Sequence, residues 1–151
     1  MSASEQAILA MQHQLTAFIA LLEEEAIALA AQNTDTLATL LPRRNEAHRQ
    51  LAQAWTALAS AAGITPTSPM PAVREALFAQ RPPNPAWQTL EQLTHDADKL
   101  NRVNGRLIEA QMQRTETAMQ VLRNNLAHRG VYGSDGRVSN VFQSTRSIDQ
   151  V

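Results

Sequence analysis

The sequence predicts an all-α fold, an antiparallel bundle of three long helices with a short helix in a proline-rich connection. Helix-forming alanine, leucine, glutamine and glutamate dominate the 151 residues. Apolar residues recur at alternating steps of three and four along three long segments. We expect a bundle domain over residues 1–129 and a flexible tail over 130–151, with helices at about 3–31, 35–62, 72–80 and 85–129.

Composition excludes several classes of function. The formal net charge of -1 provides no electrostatic footprint for nucleic acid. The absence of cysteine excludes disulfides and thiolate chemistry, and is compatible with the cytoplasm. The first residues lack the basic region of a signal peptide, and the apolar run from Ala17 to Leu22 is too short to span a membrane. We therefore expect a cytoplasmic protein without direct membrane insertion.

The first predicted helix carries a coiled-coil-like seam with one polar intruder, Glu25. A short break follows, in which Asn33 or Thr34 can cap the next helix, and so short a connection favours an antiparallel neighbour. The seam consists of Ile8, Met11, Leu15, Phe18, Leu22 and Leu29.

The second predicted helix contains Pro42, which predicts a kink or a restart, and ends at Gly63. Its expected inner face is Leu37, Leu41, His48, Leu51, Trp55, Leu58 and Ala62. The proline-rich stretch 64–83 then reads as a connector that returns the chain along the bundle. Within it, a short helix would turn Val73, Leu77 and Phe78 inward.

The last helix is the longest, starting at a cap from Asn84 and ending near Gly130. Its first half has a seam at Leu90, Leu93, Ala97, Leu100, Asn104 and Leu107. A second seam, displaced by one residue, then takes over. It consists of Ile108, Met112, Thr115, Met119, Leu122 and Leu126. A methionine-bearing stripe is typical either of core packing or of an adaptable binding surface for an amphipathic helix.

Between the two seams lies an Asn104-Gly105 pair. Glycine inside a helix costs about 1 kcal/mol relative to alanine. Three explanations stay open: close packing within the chain, a bend, or the approach of another backbone.

No pattern predicts catalysis, a cofactor or a metal. No glutamate has a histidine three residues later, as a di-iron helical bundle requires. His95 on a helix resembles a phosphotransfer site, but Asp96 and Asp98 would repel the phosphoryl group. The glycines from Gly130 to Gly136 lack the lysine and flanking elements of a phosphate loop and predict a turn.

Two blocks of the sequence resemble the FlgN family of flagellar type III export chaperones. Residues Leu100 to Glu109 match the family's N-x-x-N-G-x-L-(L/I)-E pattern in the last long helix, and Tyr132 to Gly136 match its Y-G-x-x-G turn. The front half matches only in its helical organisation, and Pro42 is not typical of the family. The resemblance implies a fold of long helices and a function in binding rather than catalysis.

The resemblance also implies partners. Family members bind the C-terminal helical segments of hook–filament junction proteins, prevent premature assembly and deliver them to the cytoplasmic domain of the export gate. Asn104, Gly105 and the second seam would bind the substrate protein, and Tyr132 and Gly133 the gate. The alternative is a structural coiled-coil or adaptor protein that oligomerises through its long helices.

Overall fold

The computed structural model describes residues 1–128, which form four α-helices and no strand. The predicted all-α class is confirmed. The predictions for residues 129–151, including the flexible tail and the end of the last helix at Gly130, lie outside the described residues. The helices are α1 Ala3–Ala30, α2 Thr34–Ala62, α3 Met70–Phe78 and α4 Pro85–His128.

The helix ends form where the capping residues predict them. The side-chain oxygen of Asn33 accepts a hydrogen bond of 3.1 Å from the N–H of Thr36, and that of Asn84 accepts one of 2.9 Å from the N–H of Trp87. Gly63 ends α2 with a φ of 75°, a left-handed conformation that glycine adopts without steric cost. The start of α4 and both ends of α2 were therefore predictable from single residues.

Helix α2 is continuous through Pro42, so of the predicted kink or restart the restart does not occur. Its inner face differs from the prediction, because Leu41 is 58% exposed whereas its neighbour Leu40 is only 4% exposed. The predicted inner position at Leu41 was therefore wrong by one residue. Arg44, one turn after Leu40, forms an ion pair with the buried Glu25 of α1. Because residues four apart lie on the same side of a helix, this pairing turns Leu40 towards α1 and leaves Leu41 exposed.

The described residues divide after Leu107 into two units, Met1–Leu107 and residues 108–128. In the first unit, α1 and α2 run in opposite directions, because Phe18 stacks near His48 (ring centroids 5.0 Å apart) while Glu25 meets Arg44. The first part of α4 runs along α1 in the same direction as α1. The core consists chiefly of Ile8, Leu15, Phe18, Leu22, Leu40, Leu58, Val73, Trp87, Leu90 and Ala97.

The connection between α2 and α4 packs onto this core. Val73 of α3 is fully buried, and the ring of Phe78 meets that of Trp87 edge-on with centroids 5.7 Å apart. The indole N–H of Trp55 donates to the carbonyl of Pro66 at 2.7 Å. These contacts fit the predicted connector, with a short helix that turns Val73 and Phe78 inward.

Candidate functional site

The second seam of α4 is an exposed apolar stripe. Ile108 is 41% exposed, Met112 52% and Leu122 48%, whereas Met119 and Leu126 are half-buried. No residue between 108 and 128 is buried against the rest of the described chain. Apolar side chains at steps of three and four, left in water, are what a surface for a partner helix presents.

Thr115 is the polar member of this stripe. Its hydroxyl donates to the carbonyl of Gln111, one turn earlier, at 3.0 Å. The hydroxyl is satisfied within the helix, so Thr115 offers its methyl group to the stripe without an unpaired donor. We refer to Ile108, Met112, Thr115, Met119, Leu122 and Leu126 as the apolar stripe.

Asn104 is placed differently from the stripe. Its side chain is only 1% exposed, and its amide nitrogen donates to the backbone carbonyl of Leu22 at 2.9 Å. A second, longer contact of 3.4 Å reaches the carboxylate of Glu25. Asn104 therefore fastens α4 to α1 inside the first unit and presents no side-chain surface to a partner in this structure.

The polar contacts continue from Asn104 into a cluster that joins α1, α2 and α4. Glu25, 6% exposed, accepts from the guanidinium of Arg44 with both carboxylate oxygens at 2.6 Å. Arg44 also donates to the side-chain oxygen of Asn101 at 3.0 Å. A buried carboxylate is stable only when it is paired and hydrogen-bonded in this way. In the sequence, only Glu25 indicated this cluster, as a charged residue within an apolar seam. Its partners lie on other helices, so residue spacing could not predict them.

Gly105 follows Asn104 in an uninterrupted helix and is exposed. Apart from its own helix backbone, a Cβ atom built on it would meet no atom of residues 1–128 within 4 Å. Of the three explanations for this glycine, close packing among residues 1–128 is therefore excluded. A bend within the continuous helix and the approach of another backbone both stay open.

An open groove of about 400 Å³ lies in the first unit between α1, α2 and α4. Its walls are mainly apolar, with Leu15, Phe18, Leu51 and Trp55 on α1 and α2, and Ala97 on α4. The sequence did not predict this groove, because each of these residues reads as an ordinary seam position on its own helix.

The other hypotheses raised by the sequence concern a phosphotransfer histidine, a metal site, a membrane span and the residues predicted to bind the export gate. His95 is exposed on α4, and no group of three or more histidine, cysteine, aspartate or glutamate side chains within residues 1–128 is arranged to hold a metal ion. No helix in this part of the chain is long and apolar enough to cross a membrane. Tyr132 and Gly133, predicted to bind the export gate, lie outside the described residues.

Residues 1–128 are all helical and carry an exposed apolar stripe, a combination typical of helical proteins that bind other proteins. Comparison with known families then identifies the family. A model described as FlgN protein matches residues 2–140, most of the chain. The chain therefore belongs to the FlgN family of flagellar export chaperones, which is not a family of enzymes, and the family predicted from the sequence is confirmed. No curated protein and no solved structure matches the chain.

Proposed function

We propose that this chain is a cytoplasmic chaperone that binds the C-terminal helical segments of hook–filament junction proteins and delivers them to the export gate. The observation that carries the proposal is the apolar stripe, which exposes Ile108, Met112 and Leu122 on α4 of a FlgN-family chain. Covering the apolar face of the bound segment would also prevent premature assembly of the junction.

The proposed scaffold is an antiparallel bundle of α1, α2 and the first part of α4. The contacts from Glu25 to Arg44 and from Asn104 to Leu22 support this arrangement. Within the proposal, Asn104 positions α4 and does not touch the substrate protein. A rigid first unit lets the chaperone expose a stripe without losing its own core.

The size of the stripe fits a complex that can be released. Full burial of one large aliphatic side chain contributes roughly 1.5–3 kcal/mol, and the three residues named above begin about half exposed. Covering them would therefore contribute only about 2–5 kcal/mol from this side of the interface. The ordering of a disordered segment into helix opposes binding, which lowers the affinity further.

A substitution in the stripe tests the proposal. Met119→Asp would place a charge in the interface, so a junction-protein C-terminal peptide should bind much more weakly, with little change in melting temperature because Met119 is only half-buried. Gln120→Asp, on the neighbouring exposed residue, is the matched control and should bind normally. A large loss of melting temperature in Met119→Asp would assign Met119 to the core instead.

Delivery to the gate is proposed to use Tyr132 and Gly133, on the resemblance of their motif to the family's turn. Tyr132→Ala should keep peptide binding and lose binding to the cytoplasmic domain of the gate. Two parallel binding assays separate these effects. Loss of both, or of neither, would contradict the assignment.

The adaptor alternative rests on the same exposed stripe, because a coiled-coil protein would also present one. Mass measurement in solution with and without the peptide distinguishes the two functions. A stable oligomer that ignores the peptide favours the adaptor, and a defined complex with the peptide favours the chaperone.

A further inference from the structure

Asn104 and Gly105 form the only asparagine–glycine pair in the sequence, and both lie inside α4. Asparagine is a thermolabile residue, and a following glycine makes it most reactive, because no side chain hinders the backbone nitrogen of the glycine. That nitrogen can attack the side-chain carbonyl carbon of the asparagine. The pair is therefore a potential site of spontaneous deamidation, a covalent modification that needs no enzyme.

The reaction has two balanced steps. A bond forms between the Gly105 nitrogen and Cγ of Asn104, the bond from Cγ to the amide nitrogen breaks, and that nitrogen leaves as ammonia with the proton of the Gly105 N–H. Water then adds to one of the two carbonyl carbons of the resulting five-membered ring and breaks its bond to the ring nitrogen. The product is aspartate or isoaspartate at position 104.

The folded structure holds both reacting groups away from this chemistry. In the continuous helix α4, the N–H of Gly105 donates to the carbonyl one turn earlier, and the helical ψ of about −42° at Asn104 does not allow the ring to close. The Asn104 side chain is only 1% exposed, and its amide nitrogen donates to the carbonyl of Leu22 at 2.9 Å. The reaction therefore requires α4 to open around residue 104.

The product would not fit where the amide lies. Asn104 contacts Leu22 and Glu25 through its nitrogen alone, and its side-chain oxygen accepts no hydrogen bond from residues 1–128. A carboxylate has no N–H to donate, and it would add a second negative charge beside Glu25, which already pairs with Arg44. Such a buried charge is unfavourable. Isoaspartate also lengthens the backbone by one carbon and so disrupts the hydrogen bonds of the helix.

We propose that Asn104 is a deamidation site gated by the docking of α4 onto α1. Docking protects the amide, and opening exposes it to attack by the Gly105 nitrogen. Once the carboxylate has formed, α4 can no longer dock through this contact. The pair thus makes a transient opening of the first unit permanent. This inference does not depend on which partner the chain binds.

The test compares deamidation in the folded and unfolded full chain. Both samples are kept in the same mildly alkaline buffer, one of them with guanidinium chloride, and peptide mapping follows each asparagine. Asn104 should react at least about a hundredfold more slowly in the folded chain, because the rate follows the population of the open form. Asn124 and Asn125, which precede residues with side chains, are internal controls and should react more slowly than Asn104 in the unfolded chain.

Two substitutions separate the opening from the chemistry. Arg44 donates to Asn101 of α4 and to Glu25 of α1, so Arg44→Met should favour opening and raise the folded-state rate at Asn104 about tenfold or more. Its rate in guanidinium chloride should equal that of the unsubstituted chain. Gly105→Ala, added to Arg44→Met, places a side chain beside the attacking nitrogen and should slow the reaction in both states.

A third substitution tests the effect of the product. Asn104→Asp should lower the melting temperature by about 6–12 °C at neutral pH. Asn104→Ala loses the same hydrogen bonds without adding a charge and should lower it by about half as much. If Asn104→Asp does not fold during expression, the deamidated fraction of the unsubstituted chain, separated by ion exchange after incubation, provides the same comparison.

Three results would each overturn the inference. A folded-state rate within about twofold of the unfolded-state rate would show that docking does not protect Asn104. An unchanged folded-state rate in Arg44→Met would show that opening is not required. Equal melting temperatures for Asn104→Asp and Asn104→Ala would show that the carboxylate fits the docked helix.

Discussion

The two parts of α4 use similar residues for opposite purposes. Before Leu107, the core residues Trp87, Leu90 and Ala97 are at most 6% exposed and pack into the first unit. After it, Ile108, Met112 and Leu122 are 41–52% exposed. The period of three and four continues through both parts, so helical spacing alone does not distinguish a core from a binding surface.

Buried polar residues, rather than the apolar ones, mark the point at which α4 changes from a packed to an exposed helix. Asn104 bonds to the backbone of α1, and the Glu25–Arg44 pair lies beside it. The contacts of Asn104 and of the Glu25–Arg44 pair can form only in one alignment of the helices. The turn of α4 that contains Asn104 is therefore the last one bonded to α1, and the apolar stripe begins one turn later at Ile108.

The largest expected difference comes from one substitution made in both parts of α4. Leu90→Ala removes a side chain that is 1% exposed and should destabilise the fold by about 3 kcal/mol. Leu122→Ala removes one that is 48% exposed and should change stability by less than about 0.5 kcal/mol while weakening peptide binding. Urea unfolding of both variants checks this, and equal losses of stability would remove the distinction between the two parts.

The Glu25–Arg44 pair should show the next largest effect. Arg44→Met leaves the Glu25 carboxylate buried without its cation and should cost about 2 kcal/mol, less than for a fully buried pair because the Arg44 side chain is 26% exposed. Adding Glu25→Leu to this variant should recover most of the loss. The two unfolding free energies test the pair, and a double variant no more stable than Arg44→Met would contradict this account.

Asn104→Ala should have a smaller effect, about 1–2 kcal/mol, because it removes the bond to Leu22 and leaves a small cavity. Peptide affinity should stay close to that of the unmodified chain if Asn104 only positions α4. A large loss of affinity with unchanged stability would instead assign Asn104 to the binding surface.

The smallest effect concerns acid stability. Hydrogen bonds from Arg49 hold the pKa of Glu46 below its ordinary value of 4.5. A lowered pKa in the folded state stabilises the fold above pH 4.5, and this contribution is lost as the pH falls through the folded value. Glu46→Gln should therefore lose slightly less stability than the unmodified chain between about pH 6 and pH 3. Superimposable profiles would show that this exposed pair contributes nothing.

Much of the fold was predictable because local signals set it. Asn33, Gly63 and Asn84 mark helix ends through hydrogen bonds and backbone conformation that involve only nearby residues. The face of α2 around Leu40 was not predictable, because it depends on Arg44 reaching a carboxylate on another helix.

The candidate site was also only partly predictable. Helical spacing predicted the apolar stripe, but it could not predict that the stripe is exposed, because Met112 and Leu90 occupy equivalent positions in the pattern while only Leu90 is buried. Asn104 was expected to bind the substrate protein, whereas its buried side chain donates to the backbone carbonyl of Leu22 in its own chain. The groove beside Trp55 requires three helices to be in place before it exists.

Hydrogen exchange of the full chain, with and without the junction-protein peptide, tests the central claim most directly. Among residues 1–128, none covers the exposed face of the stripe, so amides of residues 108–128 should exchange quickly in the free chain and become protected by the peptide. Amides of α1 and α2 should change little. Protection confined to α1, α2 and the residues that line the groove, with none over 108–128, would contradict the account and place the binding surface in the first unit.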